Sequence, residues 1–198
     1  MLSAAATISL LALAATAETS ASAPEVPSRW QVSASAATAT PMVLPKGLAL
    51  GAAAEAQRRL DQRPVFFSLR AAWTAASAAN VEWIIDHHQL VAALGVGAVT
   101  QLGAGQLWAQ AGAGVAGIYE VLSRHQLERI QMAGVPGGTE TSLSFGPYGF
   151  AELGVAVKMR GPVSGFLAAG PAVSRANVDG SPVVRWGGLA RAGVACDF

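Results

Sequence analysis

Along the final stretch "VVRWGGLARAGVACDF", Val184, Trp186, Ala190, Ala192, Val194, Cys196 and Phe198 share one parity, while Arg185, Gly187, Arg191, Gly193 and Asp197 share the other. Alternation with period two predicts a β-strand with one oily face and one polar or small-residue face. Leu189 is the one large apolar residue on the polar side. The same pattern recurs upstream. In "SRWQVSASAATAT", Trp30, Val32, Ala34 and Ala36 alternate with Gln31, Ser33 and Ser35 until Pro41 ends the run. "GLALGAAAEAQ" sets Leu48, Leu50, Ala52, Ala54 and Ala56 against Gly51, Glu55 and Gln57. "VFFSLRAAWTA" sets Val65, Phe67, Leu69, Ala71 and Trp73 against Ser68, Arg70 and Thr74, with the second ring, Phe66, an awkward fit on the polar side.

Residues 89–119 contain no charge, so hydropathy alone flags a membrane helix. Alternation divides the segment differently. Leu90, Ala92, Leu94, Val96, Ala98 and Leu102 form one oily parity, and after "GAG" a second is formed by Leu107, Ala109, Ala111, Ala113, Val115 and Tyr119. Gln101, Gln106 and Gln110 sit opposite, in the middle of the supposed span, where a helix in hydrocarbon would have to bury them. Two strands are therefore predicted. "SLSFGPYGFAELGVAVKMR" continues the pattern, with Leu143, Phe145, Ala151, Leu153, Val155, Val157 and Met159 opposite Ser144, Tyr148, Glu152, Lys158 and Arg160. "VSGFLAAGPAVS" is a seventh strand whose parity the sequence leaves open, and the closing stretch is the eighth.

Composition sharpens this reading. A chain of 198 residues with 52% hydrophobic and only 13% charged residues is oilier than water-solvated domains, where about a quarter are charged. Net charge is +1 without a basic cluster, which excludes the electrostatic footprint of nucleic-acid binding. The single cysteine, Cys196, forms no intramolecular disulfide, and no Cys/His spacing suggests a metal or cofactor. At the N-terminus, "MLSAAATISLLALAATAETSASA" pairs an apolar run with small residues, as in a secretory signal cleaved after Ala17 or, alternatively, Ala23. Residues 1–17 are thus expected to be removed, 18–27 to form a linker, and 28–198 to fold.

Signal, even-numbered alternating strands and a terminal aromatic together make residues 28–198 resemble a small outer-membrane β-barrel of the OmpA/OmpX kind, at the level of architecture. The resemblance implies an all-β, transmembrane, antiparallel up-and-down barrel in the outer membrane of a diderm bacterium. It also implies lipid and lipopolysaccharide as surroundings. In "GVACDF", Phe198 stands where such proteins carry the signal read by the barrel assembly machinery. Started at the periplasm, the strands place "RRLDQR", "LGAGQ" and "RGP" inside and "PMVLPK", "SAANVEWIIDHH", residues 122–141 and "RANVDGSP" outside. Trp30 and Phe67 then fall near the periplasmic edge and Tyr119, Phe145 and Trp186 near the outer edge, as an aromatic girdle requires.

Candidate chemistry divides between interior and loops. Arg70, Glu152 and Arg191 point inward at similar depth, an arrangement suited to a charge network, or else to solvation by interior water. In the loops, Asp86, His87, His88 and His125 are the weak candidates. The i, i+2 spacing of Asp86 and His88 suits base catalysis or weak metal binding on one strand face, against the plainer reading of solvated loop residues. "HQLERI" in the longest connection has the look of a helical turn. No nucleophile, base and orienting group converge, so a non-enzymatic structural, adhesive or envelope-integrity role is expected, with a lipid-modifying enzyme or a narrow pore as alternatives.

Overall fold

The computed structural model describes residues 30–39, 48–60, 63–77, 84–103, 105–122, 124–134, 141–178 and 181–198. The expected signal and linker, residues 1–27, lie outside them, as do Trp83 and the side chain of His125. Eight antiparallel strands are present: β1 (Trp30–Ala39), β2 (Ala49–Arg59), β3 (Val65–Ser77), β4 (Ile84–Leu102), β5 (Gly105–Leu122), β6 (Thr141–Arg160), β7 (Val163–Val178) and β8 (Ser181–Asp197). Each pairs with its sequence neighbours and β1 pairs with β8, which closes the sheet into a barrel with no free edge. The uncharged segment is two strands joined at Gly103, whose positive φ of 60° suits glycine in a tight turn.

Alternation has the expected orientation. Leu50, Leu69, Leu90, Leu94, Leu143 and Leu153 are all more than half exposed on the outer wall. Ser33, Ser68, Gln89, Gln110, Ser144 and Ser174 are buried in the lumen. The seventh strand takes Phe166, Ala168, Ala172 and Ser174 inward and Leu167 outward, which settles its parity. Phe66 points inward and is 1% exposed. Its ring fits because Gly97 lies directly across from it, and a Cβ there would collide with the ring. The same device repeats with Trp108 opposite Gly154 and Phe150 opposite Gly112. Gly95, Gly97 and Gly112 of the uncharged segment are therefore the floor on which lumen-filling aromatics lie, in an interior just wide enough for side chains.

Two connections expected as loops are strand over their described residues. β4 begins at Ile84, so Asp86, His87 and His88 are strand residues: the hairpin keeps pairing through Ala76↔His87 and Ser77↔Asp86. Likewise β7 and β8 stay paired through Asn177↔Pro182 and Val178↔Ser181. Among the described residues of the longest connection lies a helix, α1 (Arg124–Met132), longer than the single turn expected, with an exposed Arg124–Glu128 pair at 3.3 Å.

Candidate functional site: an ion-paired lumen

The lumen is filled in layers. Nearest the short turns, Phe66, Trp108 and Phe166 pack with Ala156, Ala168 and Ala195. Above them lies a layer of charge, then Tyr148 and Phe150 with Val91, Ala93, Ala116 and Ala172. A second charged cluster follows at the loop end.

In the first charged layer the register already places Glu55 opposite Arg70 and Gln110 opposite Glu152. Arg70 donates from Nε and Nη2 to Glu55 Oε2 at 3.0 and 2.9 Å, and also bonds Glu152 across the lumen. Arg191, from β8, donates from Nε to Glu152 Oε1 at 3.0 Å and from Nη2 to Glu152 Oε2 at 2.9 Å, and pairs with Glu55 at 2.9 Å. Gln110 donates to Glu152 Oε2 at 3.0 Å and accepts from Ser68 Oγ at 3.2 Å, while Gln57 donates to Glu55 Oε1 at 2.9 Å. The Arg70 guanidinium lies 4.0 Å from the centroid of the Phe150 ring. Both carboxylate side chains are fully buried. Two guanidiniums against two carboxylates leave no net charge, the condition under which such a cluster tolerates burial.

The structure thus brings Arg70, Glu152 and Arg191 together and adds two members that sequence reading left out, Glu55 and Gln110. A signal for Glu55 existed: two arginines with one glutamate carry an uncompensated charge, and Glu55 is an inward acid on the neighbouring strand.

The second cluster separates the adjacent histidines. His87 faces inward, 2% exposed, with Nδ1 3.1 Å from Glu120 Oε1, which also accepts from Arg185 Nη1 at 3.0 Å. His88 faces outward between two rings, stacked on Trp73 at 6.1 Å and tilted against Tyr119 at 6.0 Å. Alternation of the strand makes them opposite-faced, so they do not act as a pair. His125 lies in α1.

On the outer wall Trp30, Phe67, Tyr119, Phe145 and Trp186 are all exposed. Trp30 and Phe67 sit in one cross-strand row through Arg58 at the short-turn end, and the Arg58 guanidinium lies 5.6 Å from the centroid of the Trp30 ring. Tyr119, Phe145 and Trp186 lie toward the loop end of their strands. No helix among the described residues is long and apolar enough to cross a membrane, whereas every strand reaches the roughly 9–11 residues a tilted spanning strand needs.

An apolar outer wall, a closed eight-stranded sheet and a polar, filled interior define the class of small outer-membrane β-barrels. Among solved structures the fold is similar to that of neisserial surface protein A, NspA (TM-score 0.59, 16% identity, 85% of this chain and 96% of that one). It is similar also to the outer membrane protein OprG from Pseudomonas aeruginosa (TM-score 0.50, 14% identity, 85% and 95%). No protein-family model and no curated protein sequence matches the chain.

Proposed function

We propose that this protein is a non-enzymatic barrel of the outer membrane whose ion-paired lumen serves as a rigid support and whose extracellular connections carry a structural, adhesive or envelope-integrity role. The observation that carries this reading is the first charged layer. Its members come from β2, β3, β5, β6 and β8, and its guanidinium and carboxylate groups are engaged with one another across the lumen. Such a layer braces the wall and blocks the axis, which favours a scaffold over a pore.

The connections supply the other half. At one end they are short, residues 60–64, 103–104 and 161–162. At the other they include residues 40–48, 78–83 and 123–140. Small barrels turn tightly on the periplasmic side and extend outward, so α1 belongs outside the cell.

Replacing residues 124–139 by a short Gly-Ser turn tests the proposal. Heat-modifiable gel mobility should persist while surface adhesion or resistance to envelope stress falls. If both phenotypes survive and the mass profile of outer-membrane lipid changes instead, the lipid-modifying alternative is favoured. Steady conductance of the intact barrel in planar bilayers would favour the pore.

A further inference from the structure

We infer that the outer wall carries a site for one anionic glycerophospholipid, held by its phosphate at Arg58 on the short-turn end of the barrel. With the short turns in the periplasm, as the proposed function has it, the lipid belongs to the inner leaflet of the outer membrane.

Four residues on neighbouring strands build the site. Register sets Arg58 on β2 between Trp30 on β1 and Phe67 on β3, and Phe198 follows beyond Trp30, its amide bonded to the Trp30 carbonyl. Cross-strand neighbours on one face stand about 5 Å apart. The rings of Trp30, Phe67 and Phe198 are 48%, 54% and 72% exposed, and Arg58 is exposed between the first two.

Arg58 is the charged side chain of this row. Its guanidinium lies 5.6 Å from the Trp30 ring centroid, within cation–π range. A guanidinium engaged by a ring through its flat face keeps its N–H edge for a phosphate, two of whose oxygens accept from it together. The rings on either side suit the boundary between headgroups and acyl chains, so a phosphate that carries acyl chains fits better than a soluble phosphate ester. Toward mid-wall the surface beside Arg58 is low: Ala34 pairs with Ala54 and Ala36 with Ala52, all four exposed. An acyl chain can lie on that floor, while recognition resides in the guanidinium and the rings.

Headgroup charge follows from the rim. The connection after β2 carries Arg58, Arg59 and Arg63 against one acid, Asp61, which lies outside the described residues. Arg63, and at the end of β6 Lys158 and Arg160, are exposed as well. The other acids at this end are Asp197, which accepts from Gln31 at 2.8 Å, and the chain-end carboxylate at Phe198. Cations therefore outnumber acids there. A zwitterionic headgroup would bring an ammonium group into this field, whereas a headgroup whose one charge is the phosphate is attracted by it.

Native mass spectrometry of the full chain folded in detergent, offered equal amounts of phosphatidylglycerol and phosphatidylethanolamine with identical acyl chains, tests this. The parent barrel should retain phosphatidylglycerol in preference. Arg58→Gln should lower that preference about fivefold, the scale of one basic residue at an anionic lipid surface. Arg124→Gln makes the same change of charge on α1 at the other end and should leave it unaltered, and glycerol phosphate at equal concentration should not displace the lipid. Equal retention of the two lipids by the parent overturns the inference. So does an unchanged preference in Arg58→Gln, an equal fall in Arg124→Gln, or displacement by glycerol phosphate. Heat-modifiable gel mobility of the same samples separates the failures: a parent that shifts on heating yet shows no preference refutes the lipid site and leaves the barrel scaffold standing, whereas a parent without the shift refutes both.

Discussion

The backbone amide of Phe198 donates to the carbonyl oxygen of Trp30 at 2.9 Å, so the last residue of the chain is bonded to the first residue of β1 at the seam where the barrel closes. The Phe198 ring itself is 72% exposed and adds little to the packed interior. Its expected role is therefore in assembly more than in stability. Deleting Phe198 should leave folding of purified protein into detergent micelles nearly intact, yet divert the protein in cells to the periplasm or to degradation. Normal outer-membrane yield of the deletion would rule out the assembly role.

The charged layer should behave as a coupled unit. Glu55→Gln strips a carboxylate from two guanidiniums and should cost about 3–5 kcal/mol, because breaking a buried pair leaves uncompensated charge. Replacing both members, Glu55→Met with Arg70→Met, removes that imbalance within the pair and should cost less than the two single changes summed. Urea unfolding followed by tryptophan fluorescence measures both. Strict additivity would mean that Glu55 and Arg70 do not interact.

Glycine opposite an inward ring should be a sterically demanding position. A Cβ on Gly154 would meet the indole of Trp108, so Gly154→Ala should destabilise by about 1–3 kcal/mol through overpacking. Trp108→Leu in the same chain should recover part of the loss. Unfolding midpoints of the two variants, compared with Trp108→Leu alone, decide whether the clash is the cause.

Orientation is open to a cell-surface test. An epitope inserted between Gly134 and Gly138 should be reached by antibody on intact cells, whereas one beside Asp61 should require permeabilised cells. The opposite accessibility would invert the barrel in the membrane.

Much of this architecture was legible as alternation. A strand puts its side chains on two faces by necessity, so the parity of Leu90, Leu94 and Leu153 against Gln110 and Glu152 translated directly into outside and inside. Register was not legible, because it is set by pairing between strands, and register is what sets Glu55 against Arg70 and Gln110 against Glu152. The same gap explains Phe66, which looked misplaced until Gly97 appeared across from it. Asp86, His87 and His88 looked like loop because they are polar. Their strand is stabilised by partners far away in sequence, Glu120 for His87, and Trp73 and Tyr119 for His88.

The central claim is that one face of every strand meets lipid and the other a filled lumen, and two tryptophans report on it directly. Trp73 lies on the outer wall at 48% exposure, while Trp108 is buried inside at 8%. Single-tryptophan proteins retaining one or the other, with the remaining tryptophans changed to phenylalanine, can be folded into vesicles of brominated phosphatidylcholine. Strong quenching of Trp73 with little quenching of Trp108 is the predicted result. Equal quenching of the two, or quenching of Trp108 alone, would contradict the lipid-facing assignment and the barrel built upon it.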